Sequence, residues 1–265
     1  MEAPCITLKI RHCGITVQKG VICVRIVSKT DVGVVRHTNQ DAYSAGELPG
    51  GVAWAVVCDG MGGANGGDIA STTAVKVISS RISKAFRDGI SEQSIPSMLE
   101  SAVNAANISV YDMSREDETL AGMGTTVVAC VLVDGVAHIA HAGDSRAYLF
   151  NKDKITQITR DHSYVQRLIE NGTLTAEQAK TSPHRNVITR ALGVNERLAV
   201  DYTEVPIGEQ DAVMLCTDGL TGCLEDDDML AIFSGCSFYE YPDRLVKAAN
   251  ERGGNDNITV VILSL

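Results

Sequence analysis

The spacing of apolar residues changes period several times along the chain, and each change predicts an element. Residues 5–27 alternate or run apolar in short segments, and residues 52–58 are apolar without a break. An unbroken run of that length suits a strand buried on both faces. Between residues 67 and 86, Ile69, Ala70, Ala74, Val77, Ile78, Ile82 and Phe86 fall at helical spacing. A second helix is predicted over residues 96–113, because proline suits the first helical position, where an N–H would have no partner anyway. Residues 124–158 read as a meander. It comprises strands at 125–133, 136–141 and 147–150, a hairpin turn at Asp134-Gly135, and a polar turn before Ile155. Helices are predicted over 163–171, 225–233 and 243–251, and a closing strand over 258–263. Strands and helices segregated in this way predict an α+β fold rather than the regular alternation of a parallel sheet.

Three of the apolar runs end on an aspartate beside glycine or asparagine. They are Val56-Val57-Cys58-Asp59-Gly60-Met61-Gly62-Gly63, Met214-Leu215-Cys216-Thr217-Asp218-Gly219 and Gly253-Gly254-Asn255-Asp256-Asn257-Ile258-Thr259. A buried strand followed by a tight turn can hold a side chain rigidly and still present it. Singly, each is also ordinary turn chemistry, since Asp and Asn bond their own backbone and Gly accepts positive φ. Jointly they suggest one site, and carboxylates gathered a few ångström apart need a cation between them. Oxygen donors without histidine or cysteine at metal spacing favour Mg²⁺ or Mn²⁺ over Zn²⁺. The pattern reads as a metal-dependent hydrolase.

Further motifs change the odds. In chain order, Arg36-x-x-Asn39-Gln40-Asp41, Asp59-Gly60-Met61-Gly62-Gly63, Gly122-Met123-Gly124-Thr125-Thr126, Gly143-Asp144-Ser145-Arg146, Thr217-Asp218-Gly219-Leu220 and Asn255-Asp256-Asn257-Ile258-Thr259 form a six-part series. Together they resemble the protein phosphatase 2C family of metal-dependent Ser/Thr phosphatases, particularly its bacterial branch, over roughly residues 28–265.

The resemblance implies a four-layer α-β-β-α sandwich, two packed antiparallel sheets flanked by helices. It implies hydrolysis of phosphoserine and phosphothreonine by a water or hydroxide bridging two Mn²⁺ or Mg²⁺ ions. Asp59 would bridge the two ions and the Gly60 carbonyl would ligate one of them. Asp218 and Asp256 would hold the other, and Asp41 would act through bound waters. Arg36 would bind the phosphate, a task its planar fork suits better than lysine. Asp144 would join Asp218 at a weaker third ion, and Gly124-Thr125-Thr126 would serve packing. Residues 161–192 resemble a flap beside the cleft. They carry Arg167, Lys180, His184, Arg185 and Arg190, of which His184 and Arg190 are the candidate substrate-binding residues. One departure matters. Animal members place a histidine after the Asp-Gly pair, where it can protonate the leaving alkoxide; here that position is Met61, so the acid has no assigned residue.

Composition narrows the partners. A net charge of −10 argues against nucleic acid, and phosphorylated proteins made by a Ser/Thr protein kinase are the expected substrates. The acidic run Glu225-Asp226-Asp227-Asp228 is expected to open a helix, where the dipole favours acids. Eight cysteines without Cys-x-x-Cys spacing, several inside apolar runs, suit reduced buried thiols rather than a disulfide framework. No apolar run approaches the ~20 residues that span a bilayer, and Met1-Glu2-Ala3-Pro4-Cys5-Ile6 lacks the basic start and apolar core expected of a signal peptide. A soluble, cytoplasmic monomer is expected, with residues 1–265 forming one catalytic domain and residues 1–20 an extension of unassigned role. Two competing motifs fail on inspection. The Gly-x-Gly-x-x-Gly spacing from Gly60 breaks at Asn65, and Cys5 and Arg11 have the spacing of a cysteine phosphatase but only Ile-Thr-Leu-Lys-Ile between them. The remaining alternative is a catalytically inactive, phosphoprotein-binding regulatory module of the same fold. It should lack a ligand aspartate, and none is missing.

Overall fold

A computed structural model describes residues 24–62, 66–86 and 91–265. The strands expected within 5–23, the extension at 1–20 and the Cys5–Arg11 pair lie outside the described residues.

The uninterrupted apolar run at 52–58 belongs to β3 (Val52–Met61), and its burial explains the whole architecture. Ala53, Ala55 and Val57 face one cluster of buried residues, shared with Val213 and Leu215 of β10 (Ala212–Cys216) and Val261 and Leu263 of β11 (Ile258–Ser264). Val52, Trp54, Val56 and Cys58 face another, shared with Ile78 and Ile82 of α1 (Gly67–Ala85) and Leu99 and Val103 of α2 (Ile95–Glu116). A strand has period two, so both faces are apolar only when both are covered. β11 repeats the arrangement, turning Ile258, Val260 and Ile262 toward Leu245 and Val246 of α7 (Tyr241–Glu251) and Met229 of α6 (Asp226–Gly235). Each such Val, Leu or Ile contributes about 1.5–3 kcal/mol by leaving water.

Two antiparallel sheets result. One runs β1 (Arg25–Asp31), β11, β10, β7 (Arg146–Asn151), β8 (Lys154–Gln157). The other runs β2 (Asp41–Leu48), β3, β5 (Val127–Val133), β6 (Val136–Ala142), β9 (Asp201–Pro206), with the short β4 (Gly124–Thr125) paired to β3. With helices outside each sheet, the chain is the expected four-layer α+β sandwich. The acidic run does open a helix: Asp226, Asp227 and Asp228 fill the first turn of α6.

The meander expected over 124–158 is corrected. β5 and β6 pair as a hairpin through Asp134-Gly135, but β7 lies in the other sheet, paired with β10 and β8. Alternation of apolar residues reports which faces are covered, not which strand is the neighbour. The chain crosses between sheets at Gly143, whose φ of +122° is left-handed and whose missing Cβ would stand 2.6 Å from the Thr126 side chain. That crossing sets the place of Asp144.

Candidate metal centre and active site

Each candidate aspartate stands where a strand meets a turn. Asp41 opens β2 directly opposite Asp59 near the end of β3. Asp218 follows β10 and opens α5 (Asp218–Thr221), Asp256 sits just before β11, and Asp144 lies on the crossing between the sheets. Asp59, Asp144, Asp218 and Asp256 line one cleft of about 550 Å³ with Arg36, Gly60 and Met61, and the half-buried Asp41 stands next to Asp59 outside that lining.

The local backbone is pinned by other residues of the same motifs. The Asp59 N–H donates to Thr126 Oγ1 at 3.0 Å, and its carbonyl accepts from the Thr125 hydroxyl at 2.8 Å and the Thr126 N–H at 2.9 Å. The two threonines expected to serve packing therefore fix Asp59, and Thr126 also pairs with Ser145 at 2.7 Å. A Cβ on Gly60 would collide with the carbonyl oxygens of Gly67 and Gln40, so only glycine permits this approach. Asn257 clamps the loop that carries Arg36. Its Nδ2 donates to the carbonyls of Val32 (3.0 Å) and Thr38 (2.9 Å), and its Oδ1 accepts from the Gln40 N–H (2.8 Å).

Electrostatically the cluster is unfinished without a cation. Burial, then the charges of its neighbours Asp41, Asp218 and Asp144, holds Asp59 well above the usual carboxylate range. Burial likewise pushes Asp41 and Asp144 up to about 7 and raises Asp218. Buried Asp41 Oδ1 and Asp218 Oδ1 have no hydrogen-bond partner. Orphaned anionic oxygens of this kind are costly unless something positive meets them. An all-oxygen donor set fits Mg²⁺ or Mn²⁺.

Arg36 reaches the cluster through Asp256, with Nη2 at 2.8 Å from Oδ2. The two side chains are 52% and 35% exposed, so the pair is weak, about 0.2–1 kcal/mol.

The segment 161–192 leaves the sandwich and returns through an antiparallel bridge between Ser163 and Ile188. It contributes Asn186 and Ile188 to the cleft, two residues the sequence reading passed over. Neither His184 nor Arg190 is among the lining residues. His184 is exposed and meets Tyr164 edge to face at 5.7 Å. Arg190 instead pairs with Asp201 at 2.6 Å and lies 3.1 Å from His162 Nε2.

His141, His162 and Asp201 themselves bring potential ligand atoms within 4.8 Å of one another. Two features oppose a metal there. The Arg190 guanidinium already occupies the group, and His162 Nδ1 accepts from the Gly143 N–H at 3.1 Å, which leaves the ring proton on Nε2, facing Asp201. The cluster reads as a hydrogen-bonded brace at the base of the segment.

Comparison with known proteins decides the family. A family model described as Protein phosphatase 2C matches residues 35–261. The chain belongs to the protein phosphatase 2C family. Among relatives, the serine/threonine phosphatase stp of Listeria monocytogenes is 36% identical over 236 residues, 89% of this chain and 93% of that one. A solved serine/threonine phosphatase from S. agalactiae superposes with a TM-score of 0.86 at 31% identity, covering 91% of this chain and 99% of the other. The catalytic domain of the phosphatase PstP, solved in complex with 2 manganese ions, gives 0.78 at 31% identity over 91% and 97% of the two chains. Protein phosphatase 2C members depend on metal, in keeping with the orphaned carboxylates here. Among the described residues, no helix is long and apolar enough to cross a membrane.

Proposed function

We propose that this chain is a metal-dependent serine/threonine protein phosphatase, releasing inorganic phosphate from phosphoserine and phosphothreonine in proteins. The observation that carries the reading is the convergence of Asp41, Asp59, Asp144, Asp218 and Asp256, from separate strand ends, with two buried oxygens left unpartnered. Every carboxylate of the family pattern is present, which disfavours an inactive regulatory module.

Asp59, Gly60, Asp218 and Asp256 would hold two divalent ions, Mn²⁺ or Mg²⁺, with Asp41 behind them and Asp144 serving a weaker third. Such ions neutralise phosphoryl oxygens and make water acidic enough to attack near neutral pH. The chain's own residues do the rest. Arg36 exchanges Asp256 for the phosphate and orients it with two parallel N–H groups. Met61 and Ile188 give the cleft an apolar edge against the substrate side chain, while Asn186 offers an amide at the same rim. We further propose that residues 161–192 act as a flap on bound phosphoprotein.

The test is phosphate release from a phosphothreonine peptide with Mn²⁺ and with chelator. Metal-dependent release is expected. No release at any Mn²⁺ or Mg²⁺ concentration, from folded protein, would remove the reading.

A further inference from the structure

Asp41 is absent from the residues that line the cleft, and its two oxygens have opposite surroundings. Oδ2 accepts two short hydroxyl bonds, from Thr217 at 2.8 Å and Thr259 at 2.7 Å. Oδ1 is buried and accepts none. The donors come from different places, Thr217 from the turn after β10 and Thr259 from β11, and both are fully buried.

The protons can be traced. Thr259 commits its hydroxyl hydrogen to Asp41, so in its 2.7 Å contact with Thr30 the donor is Thr30. Thr30 Oγ1 in turn accepts from Asn39 Nδ2 at 2.9 Å. Thr217 Oγ1 accepts from the Thr259 N–H at 2.9 Å. Donation therefore runs Asn39 to Thr30 to Thr259 to Asp41 on one branch, and Thr259 N–H to Thr217 to Asp41 on the other. Hydrogen bonds aligned in series polarise one another, and all of this polarisation ends on a single carboxylate oxygen. At Thr259 packing alone does not call for the hydroxyl, whereas the Thr217 hydroxyl also takes up the buried Thr259 N–H. Valine has nearly the same shape as threonine, suits a strand as well, and carries no polar atom to desolvate.

We propose that Thr217 and Thr259 are positioning residues for the metal centre. They lock Asp41 in one rotamer through Oδ2, so that Oδ1 is the oxygen presented to the ions and their waters. Thr30 and Asn39 act one step further back. The proposal rests on the metal-dependent reading above. It deepens that reading by tying the first, fifth and sixth motifs into one hydrogen-bonded unit.

The experiment is calorimetric titration of Mn²⁺ into Thr217→Val, Thr259→Val, Thr217→Ser and Thr259→Ser, each also assayed on p-nitrophenyl phosphate and melted with chelator. Groups that orient metal ligands typically carry 10–100-fold in affinity or activity, and a loss of that order is expected for each valine. The serine variants, which keep the hydroxyl, should stay close to wild type. Thr259→Val placed on Asp41→Asn should cost no further Mn²⁺ affinity, a result that a merely structural role would not produce. Folded valine variants with wild-type affinity would overturn the proposal, as would an equal loss on the Asp41→Asn background. If neither valine variant folds, Thr30→Val reads the same chain from one step back. A measurable affinity loss there supports the proposal and unchanged affinity overturns it. A wild-type protein that takes up no Mn²⁺ would instead remove the reading of the site itself.

Discussion

In the proposed function Arg36 would serve two partners in turn. Its bond to Asp256 is half exposed and weak, whereas a phosphate offers a dianion to the same planar fork. Arg36→Ala should therefore raise KM markedly. A charge-assisted bond of this kind carries about 1.5–3 kcal/mol, or about tenfold to over a hundredfold in kcat/KM. Steady-state kinetics that leave kcat/KM unchanged would return Arg36 to a surface role. Asp144 calls for a different outcome. If it serves only the weaker third ion, Asp144→Ala keeps two tight Mn²⁺ sites by calorimetry while turnover falls. The fall should be larger on a phosphopeptide, whose alkoxide needs a proton, than on p-nitrophenyl phosphate, whose phenolate hardly does. Equal losses on both substrates, or loss of a tight site, would refute this division.

At the scale of elements, motif residues that touch neither ion nor phosphate hold the site together. Asn257 satisfies three backbone groups of the 32–40 loop with one amide, so Asn257→Ala strands an N–H and two carbonyls. A fully buried polar group left without a partner costs about 1–3 kcal/mol; these groups are partly buried, so the loss should lie at or below that, and the thermal midpoint should fall with Arg36 loosened. A denaturant midpoint equal to wild type would show the clamp to be dispensable. Much of this layer could be read beforehand. α1 and α7 carry clear helical periodicity, and the apolar runs at β3 and β11 announced strands covered on both faces. Asp59 and Asp218 were visible because each follows such a run, and Asp256 because it directly precedes one. Other features gave weaker signals. β2 holds Gly46 and a run of half-buried residues with no clean alternation, and α5 is only four residues long. The helix α4 (Ala176–Lys180) had a usable mark in the Thr175/Gln178 capping box. The step from β6 to β7 into the other sheet could not be read, because pairing partners are long-range. The charge of Arg190 suggests a substrate contact but cannot reveal that Asp201 already holds it.

For the whole molecule, the cost of crowding carboxylates predicts a pH dependence. In chelated protein Asp41 and Asp144 are pushed up to about 7, against about 3.9 in an unfolded chain. Between those values the folded state binds more protons than the unfolded one, so stability falls as pH rises through this window. Thermal melts with chelator should drop from pH ~5.5 to ~8, and saturating Mn²⁺ should suppress the drop. A chelated midpoint that is flat or rises over that range would contradict the charge crowding. The thiols are expected to be bystanders. Cys58, Cys130 and Cys216 are fully buried, and burial pushes the last two up to about 12. Alkylation of native protein, or Cys5→Ser, should leave activity intact. Inactivation by either, with fold and metal binding preserved, would revive a cysteine nucleophile.

The central claim is that the carboxylate cluster, filled by divalent ions, performs the hydrolysis. Its most direct test is Mn²⁺-dependent phosphate release from a phosphothreonine peptide by wild type and Asp59→Asn, with thermal melts of both. The account predicts turnover by wild type only. It also predicts that Asp59→Asn remains folded, with a chelated midpoint at or above that of wild type, because an ionisable group crowded among carboxylates gives way to a neutral one. Substantial Mn²⁺-stimulated release by Asp59→Asn would contradict it.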